Sequence, residues 1–159
     1  MKFSALEEYG LRCLLQLAKK CPVGSCTIPE LARVEGLSIH TVGKMMRILR
    51  RNGFVTSVRG QSGGYSLSRP PDQISISEVI NSLGGQIYDG DFCSRHSGTG
   101  RSCIHTVDCS IRGLLLTIQN VLDGVLDKIT LKDLVCSEKT IVSRLKSSES
   151  DSIPPEVNS

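Results

Sequence analysis

Apolar residues in the amino-terminal third of the chain recur with the period of an α-helix. They predict a first helix over residues 4–20, with Ser4 as its N-cap. A break containing Pro and Gly follows at 21–24. Thr27 then precedes a short apolar run that has a Pro in its first turn and ends near Gly36. The pattern therefore predicts a long helix, a break and a short second helix.

A third helix is predicted after Ser38, which is a favourable N-cap residue. One of its sides is apolar at positions i, i+3, i+4 and i+7, namely Val42, Met45, Met46 and Leu49. The opposite stripe is polar and basic, namely His40, Lys44, Arg47 and Arg51. Two helices joined by a short turn with Gly are typical of a helix-turn-helix. Gly43 in the third helix costs about 1 kcal/mol relative to Ala, and close approach to DNA is the explanation that the pattern offers.

A β-hairpin is predicted next, because two short alternating runs, 54–58 and 65–68, flank the Gly-rich segment 59–64. A hairpin that directly follows a helix-turn-helix is a wing. Ser75 and Glu78 then form a capping box that opens a fourth helix, which ends at two consecutive glycines.

The longest helix is predicted over 107–128. Its apolar positions are spaced alternately three and four, at Ile111, Leu114, Ile118, Val121 and Val125, and Leu115 and Leu122 widen this seam. Such a seam favours a dimer interface, with a monomer core as the alternative. Thr130 is expected to cap a last short helix over 131–135, and the polar, Ser-rich residues 138–159 are expected to be a disordered tail.

The predicted fold is mainly α with a small β-hairpin: a winged helix-turn-helix over 1–70 and a cysteine loop with a dimerisation helix over 71–137. Aromatic residues are 4% and Trp is absent, so the core is expected to be aliphatic. No segment has the order of a signal peptide or the roughly 18 apolar residues of a membrane span. Seven cysteines is an odd number, which argues against a disulfide framework. We expect a cytoplasmic protein.

Positive charge is concentrated in one segment. Six basic residues and no acidic one lie between Leu37 and Pro70, although the net charge of the whole chain is only +3. Such an asymmetry favours a local anionic partner, most simply the phosphate backbone of double-stranded DNA. The alternative is a basic, solvated helix face.

Three cysteines, Cys93, Cys103 and Cys109, follow the spacing C-x9-C-x5-C in a segment rich in Gly, Ser and Arg. Thiolates in such a group favour a soft metal or an iron–sulfur cluster, and zinc accepts the same ligands. No phosphate loop or nucleotide fingerprint is present, since the glycines at 60–64 lie in a hairpin. We therefore expect a regulator and not an enzyme, with a small electron-transfer protein as the less favoured alternative.

Several motifs make the chain resemble the Rrf2 family of winged-helix regulators, in its IscR-like and NsrR-like branch that holds iron–sulfur clusters. The resemblance covers residues 1–137. It is carried by the opening Met-Lys-Phe-Ser at 1–4, the Leu-Ser pair at 37–38, the run Arg-Arg-Asn-Gly-Phe-Val at 50–55, the wing residues 57–65 and the Ile-Thr-Leu motif at 129–131.

The resemblance implies a homodimer in which each subunit inserts the third helix into a major groove. The groove-facing residues would be Ser38, His40, Thr41, Lys44 and Arg47. Arg59 on the wing would reach the minor groove, and Arg50 and Arg51 would hold phosphates.

The resemblance also implies a cluster held by Cys93, Cys103, Cys109 and one other ligand. The first gap is longer than in IscR-like proteins, and Arg112 stands where those proteins have a His ligand. Glu8 stands where NsrR-like proteins use an acidic ligand from the partner subunit, with His96 and His105 as substitutes. We therefore expect a 4Fe–4S cluster, with 2Fe–2S second, in a repressor that senses cluster status, redox state or nitric oxide. A zinc-bound or cluster-free regulator controlled by thiol oxidation or a protein partner is the alternative.

Overall fold

Three helices pack together in the amino-terminal module. A computed structural model describes residues 4–20, 24–60, 63–89, 91–97, 100, 103, 105 and 107–149. The helices are α1 (Ala5–Lys20), α2 (Ile28–Glu35) and α3 (Ile39–Arg51). Their common core is aliphatic and contains the fully buried Leu14, Leu31 and Met46. Burial of such side chains contributes about 1.5–3 kcal/mol each, so packing fixes the orientation of α3.

Local sequence signals determine where α2 and α3 begin. Thr27 and Glu30 form a complete capping box at the start of α2, and Gly36 ends that helix at φ 63°. Ser38 caps α3 by accepting a hydrogen bond from the Thr41 amide at 3.0 Å. Each cap satisfies an amide that the helix leaves without a partner. The predicted helix-turn-helix is therefore present.

The wing consists of two antiparallel strands, β1 (Val55–Val58) and β2 (Gly64–Leu67), in which Val55 pairs with Leu67. Cys26 forms an isolated antiparallel bridge with β2, because its amide and carbonyl exchange hydrogen bonds with Tyr65 at 2.9 and 2.8 Å. A Cβ at Gly64 would lie 2.6 Å from the Cys26 carbonyl oxygen. Glycine at this position therefore permits the wing to pack against the α1–α2 connection.

The fourth helix, α4 (Ile76–Ser82), has the predicted capping box of Ser75 and Glu78. A 3-10 turn, Pro71–Gln73, precedes it. The chain returns to this region after the long helix, since Ile76 donates to the Ile129 carbonyl at 2.9 Å and Leu131 donates to the Ile74 carbonyl at 2.8 Å. Residues 129–131 thereby join the amino-terminal core.

The carboxy-terminal part contains a four-residue helix and two longer ones: α5 (Phe92–Arg95), α6 (Ser110–Leu126) and α7 (Glu138–Glu149). The long helix begins three residues later than predicted, because Cys109 is its N-cap. The predicted helix at 131–135 is wrong. Thr130 closes a turn there by hydrogen bonding with Asp133, while the flanking backbone pairs with the residues around α4.

The prediction of a disordered tail is wrong for residues 138–149, which form α7. Ser137 accepts a hydrogen bond from the Thr140 amide at 3.3 Å, and Leu145 packs against the core. The rest of the predicted tail, 150–159, lies outside the described residues.

The predicted fold class, mainly helical with one β-hairpin, is confirmed. Within the described ranges, no helix combines the length and apolar character needed to cross a bilayer.

Candidate DNA-binding face and cysteine site

The outer face of α3 presents the basic stripe that its periodicity predicts. His40, Lys44, Arg47 and Arg51 are exposed, whereas Val42, Met45, Met46 and Leu49 are buried. The two sets lie on opposite sides of one helix, since 3.6 residues complete a turn. Packing of the apolar side against α1 and α2 therefore holds the basic side towards solvent.

The exposed cations of this module have no acidic partners among the described residues. This holds for Lys44, Arg47, Arg50, Arg51 and Arg59. Arg69 differs, because it pairs with Glu78 at 2.7 Å and lies over the Phe54 ring. Lys44 and the four other arginines therefore remain available to phosphates. Arg69 instead connects the end of the wing to α4 through its ion pair with Glu78.

Two of the predicted groove-facing side chains bind each other. The Ser38 and Thr41 hydroxyl oxygens lie 2.8 Å apart, and Ser38 also caps α3. Ser38 is exposed and Thr41 is half-buried. The pair stabilises the first turn of α3, from which a helix-turn-helix reads bases.

Gly43 is not required by the packing of the protein. A Cβ built at this position would have only Ile28 Cδ1 nearby, at 3.9 Å, which is ordinary van der Waals contact. The cost of glycine inside a helix is therefore not offset by contacts within the chain. The predicted explanation, close approach of DNA, is consistent with this free space.

Arg59 directly follows β1, on the approach to the wing tip, and is exposed. Gly60 beside it has φ +116°, a conformation that side chains disfavour. The tip residues 61–62 lie outside the described residues. The local fold thus places an exposed guanidinium beside a turn that depends on glycine.

Cys93 contacts the phenol of Tyr88, and Cys109 stands at the start of α6. Cys93 lies on α5 with its Sγ 3.8 Å from Tyr88 Oη, and Cys109 caps α6 by accepting a hydrogen bond from the Arg112 amide at 3.4 Å. The hydrogen bond with Cys93 raises the pKa of Tyr88, and reduced solvation and the charges of both cysteines act in the same direction. The structure therefore shows a direct contact with Tyr88 for Cys93, whereas Cys109 is positioned by its role as the cap of α6.

Cys103 is half-buried and unbonded to another cysteine, as are Cys93 and Cys109. The residues on either side of it, 102 and 104, lie outside the described residues. Thiols suit iron or zinc as donors. Within the part of the chain that the structure describes, however, no three His, Cys, Asp or Glu side chains converge to hold a metal ion. The donor chemistry fits a cluster, whereas the described residues show no assembled set of ligands.

Glu8 is 60% exposed and lies 3.4 Å from Arg12, the helical pair that is the alternative to a ligand role. Arg12 has a closer partner in Glu35, at 2.6 Å, whose side chain is only 8% exposed. The hydrogen bond with Glu35 is the largest cause of the raised pKa of Arg12. Exposed pairs contribute about 0–1 kcal/mol, so Glu8 can leave Arg12 at little cost.

The two substitute ligands are both exposed. The His96 ring stacks on Phe92 with 4.3 Å between centroids, and its Nδ1 lies 2.9 Å from the Phe92 carbonyl oxygen. His105 has no described contact that places it beside the thiols. Arg112, which replaces the expected histidine, uses its amide to hold Cys109.

Sequence reasoning missed Gln119, the single buried residue of α6 among those described. Its Oε1 accepts hydrogen bonds from the Ile87 and Tyr88 amides at 2.7 and 3.4 Å, and its Nε2 donates to Asp123 at 2.9 Å. The sequence signal that could have identified it is a single amide side chain within an apolar helix. Gln119 connects α6 to the segment that carries Tyr88, which sequence reasoning also missed.

The apolar stripe of α6 faces away from the chain's own core. Its members are Ile111, Leu114, Ile118, Val121 and Val125, and their exposures run from 38% to 66%. Leu115 and Leu122 are half-buried on the neighbouring side, towards Gln119. They therefore contribute to packing within the chain more than to the exposed stripe.

Comparison with known proteins places this geometry in a family. Residues 3–137 match the family Rrf2, described as an iron-dependent transcriptional regulator. The HTH-type transcriptional regulator CymR of Bacillus subtilis is 32% identical over 84% of this chain and 89% of its own length. The regulator IscR of Cronobacter sakazakii is 28% identical over 89% and 84%, respectively.

Solved structures agree with the sequence comparison. The crystal structure of the oxidised form of Staphylococcus aureus CymR has a TM-score of 0.65 and 29% identity, and the match covers 86% of this chain and 98% of that one. The fold, the basic helix and the family match over most of the chain agree. The chain belongs to the Rrf2 family of DNA-binding transcriptional regulators.

Proposed function

We infer that this protein is a homodimeric repressor whose affinity for DNA is controlled by a cluster held on Cys93, Cys103 and Cys109. One observation supports the proposal: all three thiols are free and half-exposed, and in the sequence they lie between the DNA-binding module and the apolar stripe of α6. A change at the thiols would therefore act on the segment that connects the module proposed to read DNA with the helix proposed to pair two subunits.

The unpaired cations of the amino-terminal module support the DNA-binding half of the proposal. Arg47 and Lys44 would face base edges in the major groove, and Arg50 and Arg51 would face phosphates. Arg59 beside the wing tip would enter the minor groove. Phosphate contacts supply affinity and base contacts supply sequence preference.

The exposed stripe of α6 supports the homodimer. Exposed apolar side chains in one contiguous row mark an interaction surface, and a helix seam with three- and four-residue spacing pairs with a copy of itself. Two copies related by a two-fold axis would present two α3 helices to a palindromic operator.

The three thiolates and Glu8 of the partner subunit would hold a cluster, with four irons favoured over two. Such a cluster supplies redox chemistry and reactivity towards nitric oxide. Cys109 caps α6, so the charge on its sulfur acts directly at the amino terminus of that helix, where negative charge is stabilising. Gln119 would transmit displacement of the Tyr88 segment to the same helix.

A second candidate, a thiol switch without a cluster, is favoured by the position of Cys109, whose sulfur caps α6 by accepting a hydrogen bond from the Arg112 amide. A solved structure of the CymR relative from Staphylococcus aureus is described as an oxidised form, which supports this alternative. In that case oxidation of one or two thiols would change the cap of α6 without iron.

Anaerobic purification followed by iron and sulfide analysis tests the proposal. The wild type, Cys103→Ser and the control Cys136→Ser, which removes an exposed thiol outside the loop, are compared by visible spectrum. Iron and sulfide in stoichiometric amounts, lost only in Cys103→Ser, would support the cluster. Colourless wild-type protein that binds DNA only when reduced would reject the cluster and support the thiol switch.

A further inference from the structure

Ile39 is the first residue of α3, and its side chain is 61% exposed. The buried side of α3 is formed by other residues, so Ile39 lies outside the core. Helix-turn-helix proteins contact base edges with the first residues of this helix. An apolar side chain at this place is therefore positioned to contact an apolar feature of the groove.

Helical periodicity places Ile39 beside the basic stripe. Ile39, Gly43 and Arg47 are separated by four residues each, so they form one row along the helix surface. The row lies next to His40 and Lys44. Since Gly43 has no side chain, it leaves a recess between Ile39 and Arg47 that a base edge could enter.

The major groove offers one apolar feature, the 5-methyl group of thymine. The exposed cations on the same face of α3 would hold the DNA backbone close to this helix. Ile39 is too large and apolar to be a phosphate contact. Burial of one methyl group contributes about fourfold in affinity.

We propose that Ile39 determines sequence preference by packing against a thymine methyl group in each half of the operator. The proposal rests on α3 being the DNA-reading helix. It adds an apolar contact to the polar ones, and it specifies which atom of the operator is read.

The test uses duplexes enriched by the wild-type protein from a random-sequence library. Each thymine is replaced in turn by deoxyuridine, which lacks only the methyl group, and affinity is measured by fluorescence anisotropy. We expect one symmetric pair of thymines at which the replacement weakens wild-type binding about fourfold for each half-site. Ile39→Ala should bind the thymine duplex more weakly and be indifferent to that replacement.

Val34→Ala is the matched control, because Val34 is 55% exposed on the neighbouring α2. It should retain the wild-type response to deoxyuridine. An equal response of wild type and Ile39→Ala at every thymine would overturn the proposal, even if Lys44→Ala weakens binding. Unchanged affinity in both Lys44→Ala and Ile39→Ala would instead overturn the role of α3 itself.

Discussion

Gln119 Oε1 accepts a hydrogen bond from the Ile87 amide at 2.7 Å, which joins the middle of α6 to the segment between α4 and α5. The two residues are 32 positions apart in sequence. Gln119 is 7% exposed, so this bond is formed away from water. It connects the helix with the exposed apolar stripe to the residues that lead to Cys93.

Gln119→Ala should loosen this connection. The Ile87 amide loses its partner, and an unsatisfied group of this kind costs about 1–3 kcal/mol. Hydrogen–deuterium exchange of residues 86–93 should accelerate, and the urea midpoint should fall. Asn120→Ala, an exposed neighbour on the same helix, is the control, and equal exchange in the two variants would contradict the role of Gln119.

Val121→Glu should convert a dimer into a monomer. Val121 is 64% exposed near the middle of the apolar stripe, and a carboxylate buried there without a partner would cost several kcal/mol. Light scattering coupled to size-exclusion chromatography measures the mass of each species. Asn120→Glu adds the same charge away from the stripe and should remain dimeric. A monomeric wild type, or a dimeric Val121→Glu, would reject this interface.

Arg47→Ala and Arg51→Ala should differ in their effects on DNA binding. Loss of a base contact by Arg47 should reduce discrimination between operator and random DNA by about 1–3 kcal/mol. Loss of a phosphate contact by Arg51 should weaken both DNAs similarly and lower the salt dependence by about one unit of slope. Lys139→Ala on α7 is the control, and equal effects of the two arginine variants on both DNAs would refute the assigned roles.

Much of the fold could be predicted because its signals are local. Ser38, Thr27 and Ser75 cap helices in which the apolar period continues, so sequence and structure agree there. Residues 131–135 were mispredicted because the adjoining backbone pairs with distant residues around α4. The helix at 138–149 was missed because its polar, Ser-rich composition hides the packing of Leu145 against the core.

The two candidate sites differ in how far the sequence predicts them. The basic stripe of α3 follows from periodicity alone, whereas the surroundings of the thiols depend on contacts between separate segments. Nothing in the spacing of the cysteines indicates that Tyr88 lies beside Cys93, or that Cys109 ends the loop by capping α6. Spacing identifies donors, and only tertiary structure shows which donors meet.

Gly43→Ala should stabilise the protein and weaken its binding to DNA. A methyl group fits without a clash in the free chain, and Ala is favoured over Gly in a helix by about 1 kcal/mol. If the space beside Ile39 admits a base edge, the same methyl group obstructs it. Thermal unfolding and anisotropy titrations measure the two effects. An unchanged affinity would show that glycine at this position has no role in DNA recognition.

Cys13 should make stability depend on alkaline pH. Burial raises the pKa of its thiol from an ordinary 9.0 to about 11, and the charge of Glu35 acts in the same direction. The folded chain therefore retains this proton more strongly than the unfolded chain. The resulting stabilisation is fully present below pH 9 and is lost as pH rises through 11, by about 2–3 kcal/mol in total.

Urea unfolding at pH 8 and pH 10.5 measures this loss. Cys13→Ala has no thiol to titrate, so it should be less stable than wild type at pH 8 but lose less stability between the two pH values. Cys136→Ala, which removes an exposed thiol, should lose as much as the wild type, because other groups titrate equally in all three proteins. If Cys13→Ala and wild type lose the same free energy, the Cys13 thiol titrates alike in the folded and unfolded chains, and its burial does not govern the alkaline transition.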